Sequence, residues 1–188
     1  MEDIDTMTDR LGEMIIRWKT SRPDLDFSPL EVGNRVLRAA HLIQSRLDDI
    51  AAAYGLSHRG DLETLTELDL VGPMSPSELA EDLLLTSGGM TVRLNRLQAA
   101  GLIERHPNPR DGRGVLVYLT KTGADLVADA FATVLTAQSA MLRTLKNSER
   151  ERLSGLLRTL LYELGDKAPF TPATAVNRRG DGRFVPER

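Results

Sequence analysis

The sequence predicts a mainly α-helical protein that carries one short β-hairpin. Apolar residues recur at helical spacing through most of residues 10–165. Between residues 102 and 119, a segment that starts with Leu102 and Ile103 and an alternating apolar segment flank a polar tip rich in proline and glycine, which is typical of a hairpin. Three Ser-x-x-Glu patterns indicate helix starts, because serine and glutamate can satisfy the first free amides of a helix; they begin at Ser28, Ser75 and Ser148.

The N-terminal third is predicted to contain three helices. The first carries an apolar stripe and is ended by Pro23. The second is long, begins at Ser28 and ends at Gly55, and the third runs from about Gly60 to Val71. The stripe of the first helix consists of Leu11, Met14, Ile15 and Trp18.

The central segment predicts two short helices joined by a tight turn and followed directly by the hairpin. The first starts at Ser75, and the second starts near Thr86 or Ser87 and ends at Gly101. Met90, Leu94 and Leu97 can anchor the second helix in the core, while its other face carries Ser87, Gly88, Thr91, Arg93, Asn95 and Arg96. This order of elements is a winged helix-turn-helix, whose second helix reads the major groove of DNA.

Two further helices are expected after the hairpin, one from about Thr122 to Leu145 and one from Ser148. The last helix has a wide leucine stripe that needs a partner surface, namely Leu153, Leu156, Leu157, Leu160, Leu161 and Leu164. We predict that this stripe forms a dimer interface, with packing inside one chain as the alternative. From residue 166 the helical period ends, which predicts a flexible tail.

The predicted organisation has four parts. They are N-terminal helices for dimerisation and ligand contact (1–55), a winged helix-turn-helix (56–121), C-terminal dimerisation helices (122–165) and the tail (166–188). There is no cysteine among the 188 residues, which excludes disulfides and a cysteine-based redox sensor. No apolar run approaches the length of a membrane span, so we expect a cytoplasmic protein.

Positive charge is concentrated in the central segment. The whole chain has a formal net charge of −3, yet residues 86–118 hold five arginines against two acidic residues. A local basic patch attracts DNA phosphates, so we predict double-stranded DNA as the partner. The predicted DNA contacts are Thr86, Ser87, Gly88, Thr91, Arg93, Asn95 and Arg96 on the second helix, and Arg110, Asp111 and Arg113 at the wing tip.

Two other functions fit the sequence less well than DNA binding does. An enzyme could hold a phosphate at Ser87-Gly88-Gly89, but no P-loop lysine follows, the three histidines are isolated, and no nucleophile–base pair or metal-ligand spacing occurs. We therefore expect no catalytic residues, no metal and no cofactor. The alternative is a winged-helix protein-interaction module without specific DNA binding. The arginines argue against that module, and the salt dependence of binding would separate the two.

The stretch T-S-G-G-M-T-V-R-L-N-R-L-Q-A-A-G-L-I-E-R and the following P-N-P-R-D-G-R-G-V-L-V-Y-L-T-K-T-G resemble the MarR family of bacterial transcriptional regulators. The resemblance covers about residues 28–165. Asp111 and Arg113 match the family's D-x-R wing signature, in which the aspartate orients the arginine toward the minor groove. The resemblance implies a homodimeric repressor or activator whose DNA affinity is set by a small ligand or by oxidation.

The N-terminal helix is extra relative to the minimal family. Its W-K-T-S-R-P-D-L-D segment resembles the branch that responds to urate and related purines. That resemblance implies a ligand site formed by Trp18, Glu63, Arg93 and Arg105, with Asp61 as a nearby substitute for Glu63. Stacking on an aromatic ring and neutralisation by guanidinium groups suit a flat anionic heterocycle.

Overall fold

A computed structural model describes residues 9–109 and 114–166 of the chain, and it confirms the mainly helical class with one hairpin. The described elements are α1 (Arg10–Ser21), α2 (Ser28–Ala53), α3 (Arg59–Val71), α4 (Pro76–Asp82), α5 (Ser87–Ala99), β1 (Ile103–Pro107), β2 (Val115–Leu119), α6 (Lys121–Met141) and α7 (Asn147–Glu163). They fall into two compact units, Met1–Leu47 and Asp48–Arg188, and each unit is described by itself.

The N-terminal unit has a small apolar core of its own. Leu11, Ile15 and Phe27 are buried, and Trp18 packs against them with its ring centroid 6.0 Å from that of Phe27. Two ion pairs join α1 and its cap to α2, Lys19 with Glu31 and Arg35 with Asp9. Trp18 is therefore an anchor of this core as well as a candidate ligand residue.

The start of α2 differs in detail from the prediction. The helix begins at Ser28, and the carboxylate of Asp26 accepts hydrogen bonds from both the amide and the hydroxyl of Ser28, each 2.9 Å long. Ser28 therefore donates where the Ser-x-x-Glu pattern predicts an acceptor. A carboxylate two residues earlier is the stronger acceptor for a free helical amide.

The second unit is built around one core formed by α3, α4, α5, the hairpin and α6. Its fully buried side chains include Leu65, Leu79, Leu94 and Val117. Tyr54, at the end of α2, bonds to α6 through its hydroxyl, which lies 2.8 Å from Thr133 Oγ1. Most of the buried groups are leucine and other aliphatic residues, as the low aromatic content of the chain requires.

The helix-turn-helix forms as the capping signals predict. Ser75 and Glu78 make the reciprocal hydrogen bonds of a capping box at the start of α4. Thr86 caps α5, and Gly101 follows that helix with a φ of +71°. In the turn between the two helices, Leu84 has a φ of 52°, an uncommon backbone conformation for a residue with a β-carbon.

The hairpin is a two-stranded antiparallel sheet in which Ile103 pairs with Leu119 and Pro107 with Val115. Strand β2 also pairs with the segment before α4. Met74 and Val117 exchange two backbone hydrogen bonds, 3.3 and 2.8 Å long. The hairpin is thus fixed to the core along Val117, which is completely buried. The tip residues Arg110, Asp111 and Arg113 lie outside the described residues.

The two C-terminal helices differ at one junction from the prediction. α6 ends at Met141 instead of continuing to Leu145, and α7 begins at Asn147. The carboxylate of Glu149 accepts from the Lys146 amide at 2.6 Å, so the predicted capping pair of Ser148 and Glu151 is wrong. Glu149 forms the capping hydrogen bond because it lies three residues after Lys146, the residue at the cap position.

α7 has no buried residue in the described chain; Leu157 is half-buried and its other leucines are exposed, with Leu156 at 62% and Leu161 at 49%. The predicted flexible tail lies outside the described residues from residue 167 onward. Among the helices that the structure describes, none is long and apolar enough to cross a membrane.

Gly123, in the first turn of α6, gives a test of the packing between this helix and the wing. A β-carbon there would lie 2.2 Å from the carbonyl oxygen of Leu102, which already accepts a 3.0 Å hydrogen bond from the Thr120 amide. We expect Gly123→Ala to lower the free energy of unfolding by about 2–3 kcal/mol, measured by urea denaturation.

The matched control is Gly88→Ala in the first turn of α5. Nothing lies within 4 Å of a β-carbon at Gly88, so this variant should be no less stable than the wild type. Equal stability of the Gly123→Ala and Gly88→Ala variants would contradict the described packing.

Candidate nucleic-acid interface

The core-facing side of α5 determines which of its residues are available to a partner. Met90, Leu94 and Leu97 are buried and attach the helix to the core. At 3.6 residues per turn, the stripe directly opposite consists of Gly88, Val92, Asn95 and Ala99, and all four residues are exposed. A groove of DNA that receives this helix would meet that stripe first.

Val92 was not among the residues predicted from the sequence. Its side chain is 63% exposed, although it is apolar and surrounded by polar positions on the helix surface. The spacing of four residues from Gly88 and three from Asn95 would have identified it, because these intervals keep residues on one helical face. The sequence-based selection favoured polar side chains and therefore passed over it.

The N-terminal turn of α5 uses some of its polar groups internally. Thr86 Oγ1 accepts from the Gly89 amide at 3.1 Å, and Thr91 donates its hydroxyl hydrogen to the Ser87 carbonyl at 2.8 Å. Ser87 and Gly88 are exposed beside them. The helix start therefore presents small residues and free backbone amides, a combination that suits phosphate contact.

Arg96 is held on α3 by a two-pronged ion pair. Its Nε and Nη2 donate to the two carboxylate oxygens of Asp61 at 3.0 and 2.5 Å. Asp61 is 1% exposed and lies in the first turn of α3, where the helix dipole also favours a negative charge. The hydrogen bonds to Asp61 raise the pKa of Arg96.

Arg93 also extends toward α3. Its Nη1 donates to Thr64 Oγ1 at 3.2 Å, and its guanidinium covers Gly60, where a β-carbon would lie 2.3 Å from Nη2. Burial lowers the pKa of Arg93, while the negative charges of Asp61 and Glu63 oppose that shift. Arg93 and Arg96 thus lie on the flank of α5 that faces α3.

On the other flank, Arg105 of β1 connects the wing to α5. Its Nη1 donates to Asn95 Oδ1 at 2.8 Å. The Nε atom of Arg105 is buried and has no hydrogen-bond partner within the described part of the chain. A buried donor without an acceptor is costly, so this atom is the group at the wing base that would gain most from an added acceptor.

Of the residues predicted for a ligand, Arg93 lies close enough to Asp61 and Glu63 for their charges to act on it, whereas Arg105 lies on the other flank of α5. Glu63 pairs with Arg59 one turn away on α3, and Asp61, its suggested substitute, pairs with Arg96. Arg93 lies against α3 and Arg105 against Asn95. Trp18 belongs to the N-terminal unit. These ligand assignments, and those of the DNA contacts, remain predictions.

Two of the three histidines have structural partners. His58 caps α3, because its Nδ1 accepts from the Gly60 amide at 2.9 Å, which places the proton of a neutral ring on Nε2. His106 lies on the wing, 3.0 Å from Glu104 and edge-on to Tyr118. In the described ranges, no group of three or more acidic or histidine residues could hold a metal ion.

The arrangement of α4, α5 and the hairpin defines a winged helix-turn-helix protein. The family model described as the MarR family matches residues 54–114. The transcriptional regulator PecS of Dickeya dadantii is 30% identical over 149 residues, which cover 78% of this chain and 90% of PecS. The chain therefore belongs to the MarR family of transcriptional regulators, and it is a DNA-binding regulator, not an enzyme.

Solved structures agree with this assignment. The regulator Sco5413 of Streptomyces coelicolor superposes with a TM-score of 0.66 at 25% identity, covering 77% of this chain and all of that one. A variant of MarR from E. coli complexed with operator DNA gives a TM-score of 0.60 at 27% identity, over 73% of this chain and 99% of that one.

The pair formed by Asp61 and Arg96 gives a test of how α5 is held. Removal of Arg96 leaves a buried carboxylate without its partner. We expect Arg96→Ala to lower the free energy of unfolding by about 2–3 kcal/mol, somewhat less than for a wholly buried pair because the Arg96 side chain is 39% exposed.

Arg59→Ala is the control, because Arg59 pairs with a carboxylate whose side chain is 42% exposed; it should cost less than about 1 kcal/mol. In a double-mutant cycle, Arg96→Ala should cost much less in an Asp61→Asn background. Additive effects of the two changes would show that this contact does not stabilise the fold.

Proposed function

We propose that this regulator is a homodimeric repressor that binds a pseudo-palindromic duplex and is released by a small anionic aromatic effector of the urate and purine class. The observation that carries the DNA part is the fully exposed stripe of α5 opposite its buried anchor, next to a wing fixed to the same core. A helix presented in this way can enter the major groove while the wing lies beside it.

The homodimer is supported by the apolar surface that α6 and α7 leave uncovered. Leu135 is 54% exposed, Leu156 is 62% exposed and Leu164 is 74% exposed. Monomeric proteins seldom expose several large aliphatic side chains on consecutive helices, so a second copy is the simplest partner for them. Two-fold symmetry would then present two α5 helices to successive major grooves.

The effector is supported by the state of the two arginines at the flanks of α5. The guanidinium of Arg93 is half-buried, and Nε of Arg105 is buried without an acceptor. An anion would supply acceptors to groups that have lost water, and charge-assisted hydrogen bonds are the stronger kind. The part of Trp18 in recognising the ligand stays a prediction from the sequence.

The same arginines give the effector a route to DNA affinity. Arg105 bonds to Asn95 on the exposed stripe, and Arg93 is itself a residue of α5. An anion that draws Arg105 away from Asn95, or Arg93 away from Thr64, changes the contacts of α5. A ligand can shift DNA binding only by its different affinity for the free and bound forms, and regulators of this kind need a coupling of roughly 1–3 kcal/mol.

The DNA part is tested by selection from random duplexes with the full chain. We expect enriched sites with two inverted half-sites whose centres are about one helical turn apart. Arg113→Ala should then weaken binding to the selected site by about 1–3 kcal/mol, and Asp111→Ala should reproduce part of that loss. Enrichment of single asymmetric half-sites would contradict the dimer, and unchanged affinity in both variants would contradict the wing assignment.

The effector part is tested with urate, using the fluorescence of Trp18, the one tryptophan of the chain, and the release of labelled operator. Urate should quench the fluorescence and release DNA from the wild type. Arg105→Ala should abolish both effects and keep most of the DNA affinity, whereas Arg93→Ala should lower both ligand and DNA binding.

Arg143→Ala is the control, because Arg143 is exposed after α6 and is not one of the residues proposed to contact ligand or DNA; it should behave as the wild type. If millimolar urate neither quenches Trp18 nor releases DNA, the purine class is wrong. DNA binding by the dimer is judged separately, by the selection experiment.

A further inference from the structure

The exposed stripe of α5 carries two different side chains that a base edge could meet, Val92 and Asn95. They are three residues apart on the helix, so their β-carbons lie about 5–6 Å from each other on the surface. Val92 offers only methyl groups, and Asn95 offers an amide. The stripe can therefore make only two kinds of contact with a base edge here, an apolar contact and a hydrogen bond to an amide.

The amide of Asn95 is oriented by Arg105. A guanidinium has donors only, so the atom of Asn95 that faces Arg105 Nη1 at 2.8 Å must be the oxygen. With Oδ1 engaged, the free end of the side chain is Nδ2, which can only donate. Asparagine reads adenine through both of its polar atoms, and in this arrangement one of them is already occupied.

A donor beside a methyl group selects one base in the major groove. Thymine presents an acceptor, O4, next to its C5 methyl group, whereas cytosine presents a donor at the corresponding position. Guanine also presents acceptors but has no methyl group. The combination of Nδ2 with an apolar side chain thus matches thymine better than the other three bases.

We propose that Val92 and Asn95 read one thymine in each half-site, with Val92 in contact with the C5 methyl group and Asn95 Nδ2 donating to O4. Arg105 is the positioning residue that holds the asparagine in the donor orientation. This inference rests on the proposed function, because it takes α5 as the helix that enters the major groove. It names Val92 and Asn95 as the determinants of one base pair in the operator.

The first experiment replaces each thymine of the selected operator, one at a time, by deoxyuridine, which lacks only the methyl group. For the wild-type full chain we expect one position in each half-site at which the replacement weakens binding about fourfold, the effect of one buried methyl group. Val92→Ala should bind the thymine and deoxyuridine duplexes equally at that position.

The control variant is Val71→Ala. Val71 is another exposed valine, 51% accessible at the end of α3, and lies outside the proposed interface. It should keep the fourfold preference for thymine. A thymine preference that survives in Val92→Ala, or a wild type that is indifferent to deoxyuridine at every position, would overturn the assignment of Val92.

The second experiment repeats the selection with Asn95→Asp. One oxygen of the new carboxylate can still bond to Arg105, and the free atom becomes an acceptor instead of a donor. The preferred base should change from thymine to one with a donor, such as cytosine, by about fivefold, and at the same position as the deoxyuridine effect. An unchanged preference, or a change at a different position, would overturn the reading of one thymine by both residues.

The experiments distinguish a failure of the proposed function from a failure of the thymine assignment alone. If the wild-type chain selects no specific duplex, both the proposed function and this inference are wrong. If it selects a two-fold operator but shows no deoxyuridine-sensitive position, the regulator stands and only the thymine assignment is lost.

Discussion

The position of α5 depends on a charge that the fold has removed from water. Asp61 is 1% exposed, and a carboxylate at that depth requires a partner with matching geometry. Arg96 supplies it with two hydrogen bonds from the adjacent helix. Leucine packing alone would allow α5 some rotation about its axis, whereas a bidentate ion pair fixes one rotational setting.

That setting determines which side chains remain for other tasks. Once Arg96 and Arg93 are turned toward α3, the outward stripe is left to small, apolar and amide side chains. Positive charge then acts from the flanks of the helix, where phosphates lie, and not from its centre, where base edges lie. The division resembles what a DNA-reading helix needs, since charge positions the protein and short side chains specify the sequence.

The sequence predicted helix starts well where a strong acceptor occurs at the proper position. Ser75 with Glu78, and Thr86 before α5, have the predicted caps. The predicted pair of Ser148 and Glu151 failed because the helix begins two residues earlier, where Glu149 accepts from the Lys146 amide. At α2 the Ser28 hydroxyl donates to the carboxylate of Asp26 instead of accepting from a helical amide.

The partners of the arginines could not be predicted from spacing. Asp61 and Arg96 are 35 residues apart, and Asn95 and Arg105 belong to a helix and a strand whose relation depends on tertiary packing. Local periodicity identifies which face of α5 is buried, but it does not say which neighbour lies beside each flank. Val92 shows the opposite case, because helical spacing alone places it on the outward stripe.

The contact between the wing and α6 affects how the two elements can move relative to each other. Thr120 bonds through its hydroxyl to the Gly101 carbonyl and through its amide to the Leu102 carbonyl, and Gly123 lets the helix backbone rest against the latter. The Leu119 side chain is the other neighbour, with its Cδ1 2.8 Å from where a β-carbon on Gly123 would lie. The base of the wing and the first turn of α6 are therefore joined backbone to backbone, so we expect a tilt of the long helix to move the hairpin with it.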